Sequence, residues 1–116
     1  MLSIPLSVQE IQPCLENYAG QIELAGRSSP TQTVVSGDES AVKALGEHFE
    51  AQGYRTTRLA VSHAFHSHHM DPMLEPFKEE LEACHFSEPE LSIVSNLTGV
   101  PAEKGEMMDP DYWVRQ

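Results

Sequence analysis

The sequence predicts an α+β fold, and three observations carry that reading. Apolar residues alternate with polar ones in some stretches and recur at helical spacing in others. Over residues 1–61 the two periods follow one another as strand, helix, strand, strand, helix, strand. Glycine, proline and capping residues punctuate the joints between them.

Met1–Leu6 is short and apolar enough for a strand. Ser7 and Glu10 have the spacing of a capping box, and Ile11, Cys14, Leu15 and Tyr18 then fall on one helical face. Pro13 must kink that helix or delay its start, and Gly20 suits its end. Ile22 and Leu24 alternate with polar residues, Thr31–Ser36 carries the β-branched Thr33, Val34 and Val35, and Gly26–Pro30 reads as the turn between them. Asp38 follows Gly37 as the N-cap of a second helix, with Val42, Leu45 and Phe49 inward and Gly53 as its stop. Tyr54–Val61 reads as the last strand. This order is the split βαβ of a ferredoxin-like βαββαβ unit, expected as a four-stranded antiparallel sheet with both helices on one face.

Beyond Val61 the texture changes. His63, His66, His68 and His69 crowd seven residues. Asp71-Pro72 reads as an N-cap and first helical position, and Met70, Leu74, Phe77, Leu81 and Cys84 form a long helical stripe with Pro76 in its early turns. Leu91–Ser95 is expected to be a short buried strand, Asn96–Gly99 a turn, Pro101–Met108 a loop and Asp109-Pro110 the start of another helix. Residues 62–116 thus read as a helix-strand-helix piece, and the chain is expected to be one domain or part of one.

Seven Lys and Arg against eighteen Asp and Glu give a net charge of −11 with the histidines neutral. So acidic a surface repels phosphate backbones and anionic lipid, which argues against nucleic-acid and membrane partners. No apolar run approaches the ~20 residues of a membrane span, and Met1–Glu10 lacks the make-up of a signal peptide. Cys14 and Cys84 lie far apart on apolar stripes, which suggests buried thiols in a reducing, cytoplasmic setting. Asn96-Leu97-Thr98 is a glycosylation sequon without a secretory context, and the carboxylates of Glu75–Glu82 read as a solvated helix face.

The histidine cluster admits three readings. Four imidazoles could ligate a metal, but sequence spacing shows no second group of ligands beside them, so no metal site is expected. They could be a polar loop with one or two buried members. One could be a general base at the mouth of a cleft. Periodicity does not choose among these.

A resemblance does. His63-Ala64-Phe65-His66-Ser67, followed by Met70-Asp71-Pro72-Met73-Leu74, resembles the catalytic-histidine motif of malonyl-CoA acyltransferase domains in modular type I polyketide synthases. Val34–Gly37, Ser95–Gly99 and Asp109–Arg115 resemble further stretches of that family in the same order, so the likeness covers essentially all 116 residues. In that family a ferredoxin-like subdomain is inserted into a larger α/β-hydrolase-like acyltransferase subdomain. Residues 1–61 resemble the insert and 62–116 the segment after it.

The resemblance implies a function. A serine would take malonyl from malonyl-CoA as an ester and pass it to the phosphopantetheine thiol of an acyl carrier protein. His66 matches the general base, which deprotonates the serine and protonates the departing thiolate; imidazole suits both tasks near neutral pH. His63 and Phe65 match residues that shape the acyl pocket, and Phe65 goes with malonyl where a small residue goes with methylmalonyl. Gln116 matches the position whose main-chain carbonyl orients the histidine. The implied partners are the carrier protein and the remainder of the acyltransferase domain, with malonyl-CoA as substrate and no cofactor bound by this chain.

The departures are equally specific. No G-x-S-x-G elbow occurs here, so the nucleophile and its oxyanion-hole amides are expected elsewhere and the chain alone is expected to be inactive. Gly26–Pro30 stands where many members have Asn-Gly-Pro, and His68-His69 replaces a commoner Pro-Leu. Carrier proteins are usually acidic, so docking would need a local basic patch, for which Arg55, Arg58 and Lys78 are the candidates. Two other classes stay open: a non-catalytic ferredoxin-like interaction module and a histidine-rich metal-binding protein.

Overall fold

The computed structural model describes all 116 residues, which divide into two units, Met1–Asp71 and Pro72–Gln116. The first contains β1 (Leu2–Ile4), α1 (Val8–Leu15), β2 (Ile22–Ser29), β3 (Gln32–Gly37), α2 (Glu39–Ala51) and β4 (Thr57–Arg58). The sheet order is β2-β3-β1-β4 and every pair is antiparallel, the predicted ferredoxin-like arrangement.

Leu2 and Ile4 of β1 and Val35 of β3 pack with Ile11 and Leu15 of α1 and Val42, Leu45 and Phe49 of α2 in one core. The capping box that starts α1 is complete. The Glu10 amide donates to Ser7 Oγ at 3.4 Å, and the Ser7 amide donates to Glu10 Oε2 at 2.8 Å. The Ser7 hydroxyl and amide hold the Glu10 carboxyl below its ordinary range. Pro13 does not delay the helix, which starts at Val8; three residues past it the chain tightens into a 3₁₀ turn, Glu16–Tyr18. Gly37 is required at the end of β3. Its φ is +148°, and a Cβ there would sit 2.0 Å from the Gln21 carbonyl oxygen.

Three strand boundaries differ from expectation. β2 continues through Gly26–Ser29, and the connection to β3 is only Pro30-Thr31. Turn-like composition is overridden because Gly26, Arg27 and Ser29 each find a partner on β3, with irregularities near Leu24 and Ser29 absorbing the mismatch. β1 stops at Ile4, since Pro5 has no N–H to continue a ladder. β4 is only Thr57–Arg58 instead of Tyr54–Val61: its one neighbour is the three-residue β1, so an edge strand here cannot outgrow its template.

The second unit holds most of α3 (Asp71–Glu82) and α4 (Pro110–Arg115). α3 begins at Asp71 directly behind a 3₁₀ turn over His68–Met70, so Met70 and Cys84 of the predicted stripe lie outside it. No α3 residue is buried, and Cys84 is exposed rather than part of a core. Cys14, by contrast, is partly buried and packs against the core of the first unit. Leu91–Ser95 is not the expected buried strand. Leu91 and Val94 are 80% and 61% exposed, and a single bridge from Val94 to Pro101 is all the pairing there. An isolated apolar segment has no ladder partner within this unit to make it a strand.

What order the second unit has centres on α4. The Asp109 carboxylate accepts from the Asp111 amide at 3.0 Å, capping the helix as predicted. Tyr112 is buried and shares a 3.1 Å hydrogen bond with Ser95 Oγ. Lys78 pairs with Asp111 at 2.7 Å, and that carboxylate raises the lysine above its ordinary range. Trp113 donates to the Met107 carbonyl at 2.9 Å and stacks on Phe86. With so little buried apolar surface, amides of Pro72–Gln116 are expected to exchange hydrogen much faster than those of β1, β3 and α2. Equal protection of the two units in a monomer would contradict this.

Candidate functional site

The histidine segment is built as a tight turn leading into the 3₁₀ turn. Ser67 is buried, and its hydroxyl donates to the Ala64 carbonyl at 2.5 Å; the Met70 amide in turn donates to the Ser67 carbonyl at 2.9 Å. Between these ties His66 adopts φ +58°, the only non-glycine residue with a left-handed backbone. Such a conformation is uncommon outside glycine and persists where surrounding bonds enforce it, often at working residues. The imidazole of His66 is exposed at the apex.

His63 and Phe65 share that turn. Their rings lie 5.7 Å apart between centroids, His63 Nδ1 and the Ser62 hydroxyl share a 2.9 Å hydrogen bond, and Phe65 is 41% exposed. His63 also lines an open groove of about 700 Å³, together with Leu2, Val42 and Val61 and the charged Lys43 and Arg58. The structure therefore brings His63, Phe65 and His66 together on one surface turn. Gln116 ends α4 in the second unit, where its amide donates to the Tyr112 carbonyl at 3.2 Å.

The other two histidines face a different group. Glu23 neighbours the core-facing Ile22 on β2, so its side chain leaves the opposite face of the sheet. There its carboxylate meets His68 Nδ1 at 3.0 Å. His68 Nε2 lies 3.3 Å from Asp38 Oδ1, and His69 Nε2 lies 2.8 Å from the same oxygen. The Glu23 hydrogen bond raises the His68 imidazole above its ordinary range, with Asp38 adding to the effect. A raised value means that this contribution to stability is full in acid and fades as pH climbs through the histidine range. Sequence spacing missed Glu23 and Asp38 as neighbours of the cluster. Asp38 read only as an N-cap, yet its carboxylate makes no capping bond.

Of the basic candidates for docking, Arg58 is paired with Glu39 and Lys78 with Asp111, while Arg55 is exposed. Arg58 holds the Glu39 carboxyl below its ordinary range.

The decisive comparison is with protein families: the family model for the acyl transferase domain matches residues 1–116 from end to end. The chain belongs to the acyltransferase domain family. This acyltransferase segment is 42% identical, over 99% of its length, to the spectinabilin polyketide synthase system protein NorB of Streptomyces orinoci, of which it covers 5%. It matches the acyltransferase domain from the second module of the salinomycin polyketide synthase with a TM-score of 0.89 and 35% identity. That match covers 98% of the segment and 26% of the solved chain. A malonyl-CoA:ACP transacylase of Synechocystis gives a TM-score of 0.80 and 27% identity over 100% of the segment and 39% of its own chain. The acyltransferase segment thus spans a small part of the synthase and well under half of the solved chains. No helix in it is long and apolar enough to cross a membrane.

Proposed function

We propose that this chain is part of an acyltransferase that moves a malonyl unit from malonyl-CoA to the phosphopantetheine thiol of an acyl carrier protein in polyketide biosynthesis. In that reading residues 1–61 form the small ferredoxin-like subdomain and 62–116 part of the large one. The observation that carries it is His66: an exposed imidazole, held in a left-handed turn by Ser67, inside a chain that matches the acyltransferase family throughout.

The roles in this reading come from the family resemblance, and the exposed turn is compatible with them. A general base must reach a proton on a separate group, and an imidazole at the tip of a tied turn is positioned to do so. His66 takes the proton of a serine hydroxyl as that oxygen attacks the malonyl thioester, then returns it to the sulfur of coenzyme A as the C–S bond breaks. In the second half-reaction it takes the proton of the phosphopantetheine thiol and returns it to the serine. The resemblance assigns the orienting main chain to Gln116 and the lining of the acyl pocket to His63 and Phe65. The exposed Leu91, Ile93 and Val94 fit against the remainder of the domain, which also supplies the serine and its oxyanion-hole amides. The unbridged thiols of Cys14 and Cys84 suit a cytoplasmic setting.

The test compares two samples by the mass of a phosphopantetheinylated carrier protein after incubation with malonyl-CoA. The parent acyltransferase domain should load it, and residues 1–116 alone should not, because a base without a nucleophile leaves acyl transfer unable to begin. Loading by the isolated chain would overturn the reading.

A further inference from the structure

We propose that Asp38, His68 and His69 form a binding site for a divalent transition metal of the zinc class, buttressed by Glu23. The three donors come from two places remote in sequence, the start of α2 and the 3₁₀ turn behind His66, and their ligand atoms all lie within 4.8 Å of one another. Two imidazole nitrogens and one carboxylate oxygen are the donors that borderline cations such as zinc select, whereas calcium and magnesium select oxygen alone.

Three features of the geometry favour a cation over a chance cluster. The first is Asp38. At an N-cap, an aspartate ordinarily satisfies an amide of the first turn. Here it makes no such bond and turns both imidazoles toward one oxygen instead. The second is Glu23. By accepting from Nδ1 of His68 at 3.0 Å, it fixes the tautomer in which Nε2 carries the lone pair and faces Asp38. A carboxylate behind a histidine is the arrangement that orients metal-ligating imidazoles and raises their basicity. The third is proton arithmetic. A neutral His68 has one N–H and two carboxylates to satisfy, one on each ring nitrogen. With that N–H given to Glu23, the Nε2 lone pair faces Asp38 Oδ1 at 3.3 Å, and a cation placed between them turns that repulsion into attraction. An ion seated between Nε2 of His68, Nε2 of His69 and Asp38 Oδ1 leaves coordination positions for water. It would also tie the helix start to the turn that carries His66, two residues before His68. This site stands apart from the acyl-transfer reading and does not depend on it.

The test is titration of the full 116-residue chain with zinc chloride by calorimetry, with cobalt(II) absorption reporting the ligand field. One equivalent of zinc should bind saturably. Glu23→Gln should weaken it by about 10- to 100-fold, and Asp38→Asn and His69→Ala should each weaken it more than Glu23→Gln does. Cys14 and His48 form a separate nitrogen–sulfur pair, 3.5 Å apart, so His48→Ala is the control and should leave the affinity unchanged. Far-UV circular dichroism confirms that each variant is folded, and the conservative Glu23→Gln keeps the test valid should Asp38→Asn unfold. The proposal is overturned by any of three results: no saturable binding at millimolar zinc, an affinity indifferent to Glu23→Gln and His69→Ala, or an affinity that follows His48.

Discussion

Replacing His66 by alanine in an acyltransferase domain that carries this segment is expected to lower kcat/KM for malonyl transfer by about 100- to 10,000-fold, the usual contribution of a positioned general base. Alanine alone would leave a doubt, because His66 sits at φ +58° and alanine tolerates that conformation poorly. His66→Asn removes the doubt. Asparagine accepts the left-handed region, so the turn between Ala64 and Met70 should persist, yet it cannot shuttle a proton between oxygen and sulfur. Both variants should lose activity to a similar degree, with His66→Asn keeping the wild-type melting temperature. Recovery of activity in His66→Asn would make the residue a conformational element rather than a base.

Phe65→Ser should change selectivity rather than rate. In the proposed reading, a phenyl ring directly before the base would fill space that an α-methyl branch needs, and serine would vacate it. Excluding one methyl group from a packed pocket is worth roughly 1–3 kcal/mol, or about 10- to 200-fold in the ratio of kcat/KM values. The ratio for malonyl-CoA over methylmalonyl-CoA is expected to fall by that factor in the variant. Phe65 is 41% exposed in this segment, so its removal leaves little cavity and should scarcely disturb stability. An unchanged ratio would place selectivity elsewhere in the domain.

What was legible in the sequence was local or periodic. Ser7 and Glu10 three residues apart, the Val42–Leu45–Phe49 stripe and Asp109 before Pro110 each encode their element within one or two turns, and each is found as read. Strand lengths were less legible because they depend on a neighbour. Tyr54–Val61 has the composition of a full strand, but β1 offers only three residues to pair with. Gly26–Ser29 has the composition of a turn, yet β3 recruits it into the ladder. Leu91–Val94 looks buried by hydropathy and is exposed here, since nothing in its own unit covers it.

The candidate site divides the same way. The turn holding His63, Phe65 and His66 is contiguous, so its residues could be named before any fold was known. The meeting of His68 and His69 with Glu23 and Asp38 spans 30 to 45 residues and exists only through sheet topology. One residue type can thus carry two messages. Asp38 marks a helix start in sequence, and in space its carboxylate serves the histidines instead.

The most direct measurement is to map the malonyl ester in the parent domain. After rapid mixing with radiolabelled malonyl-CoA and proteolysis, the label should reside on a serine outside residues 1–116. Its formation should slow by at least about 100-fold in His66→Asn. A label on any residue of this chain, or an ester that forms at the same rate without His66, would contradict the assignment of this segment as the part that supplies the base and not the nucleophile.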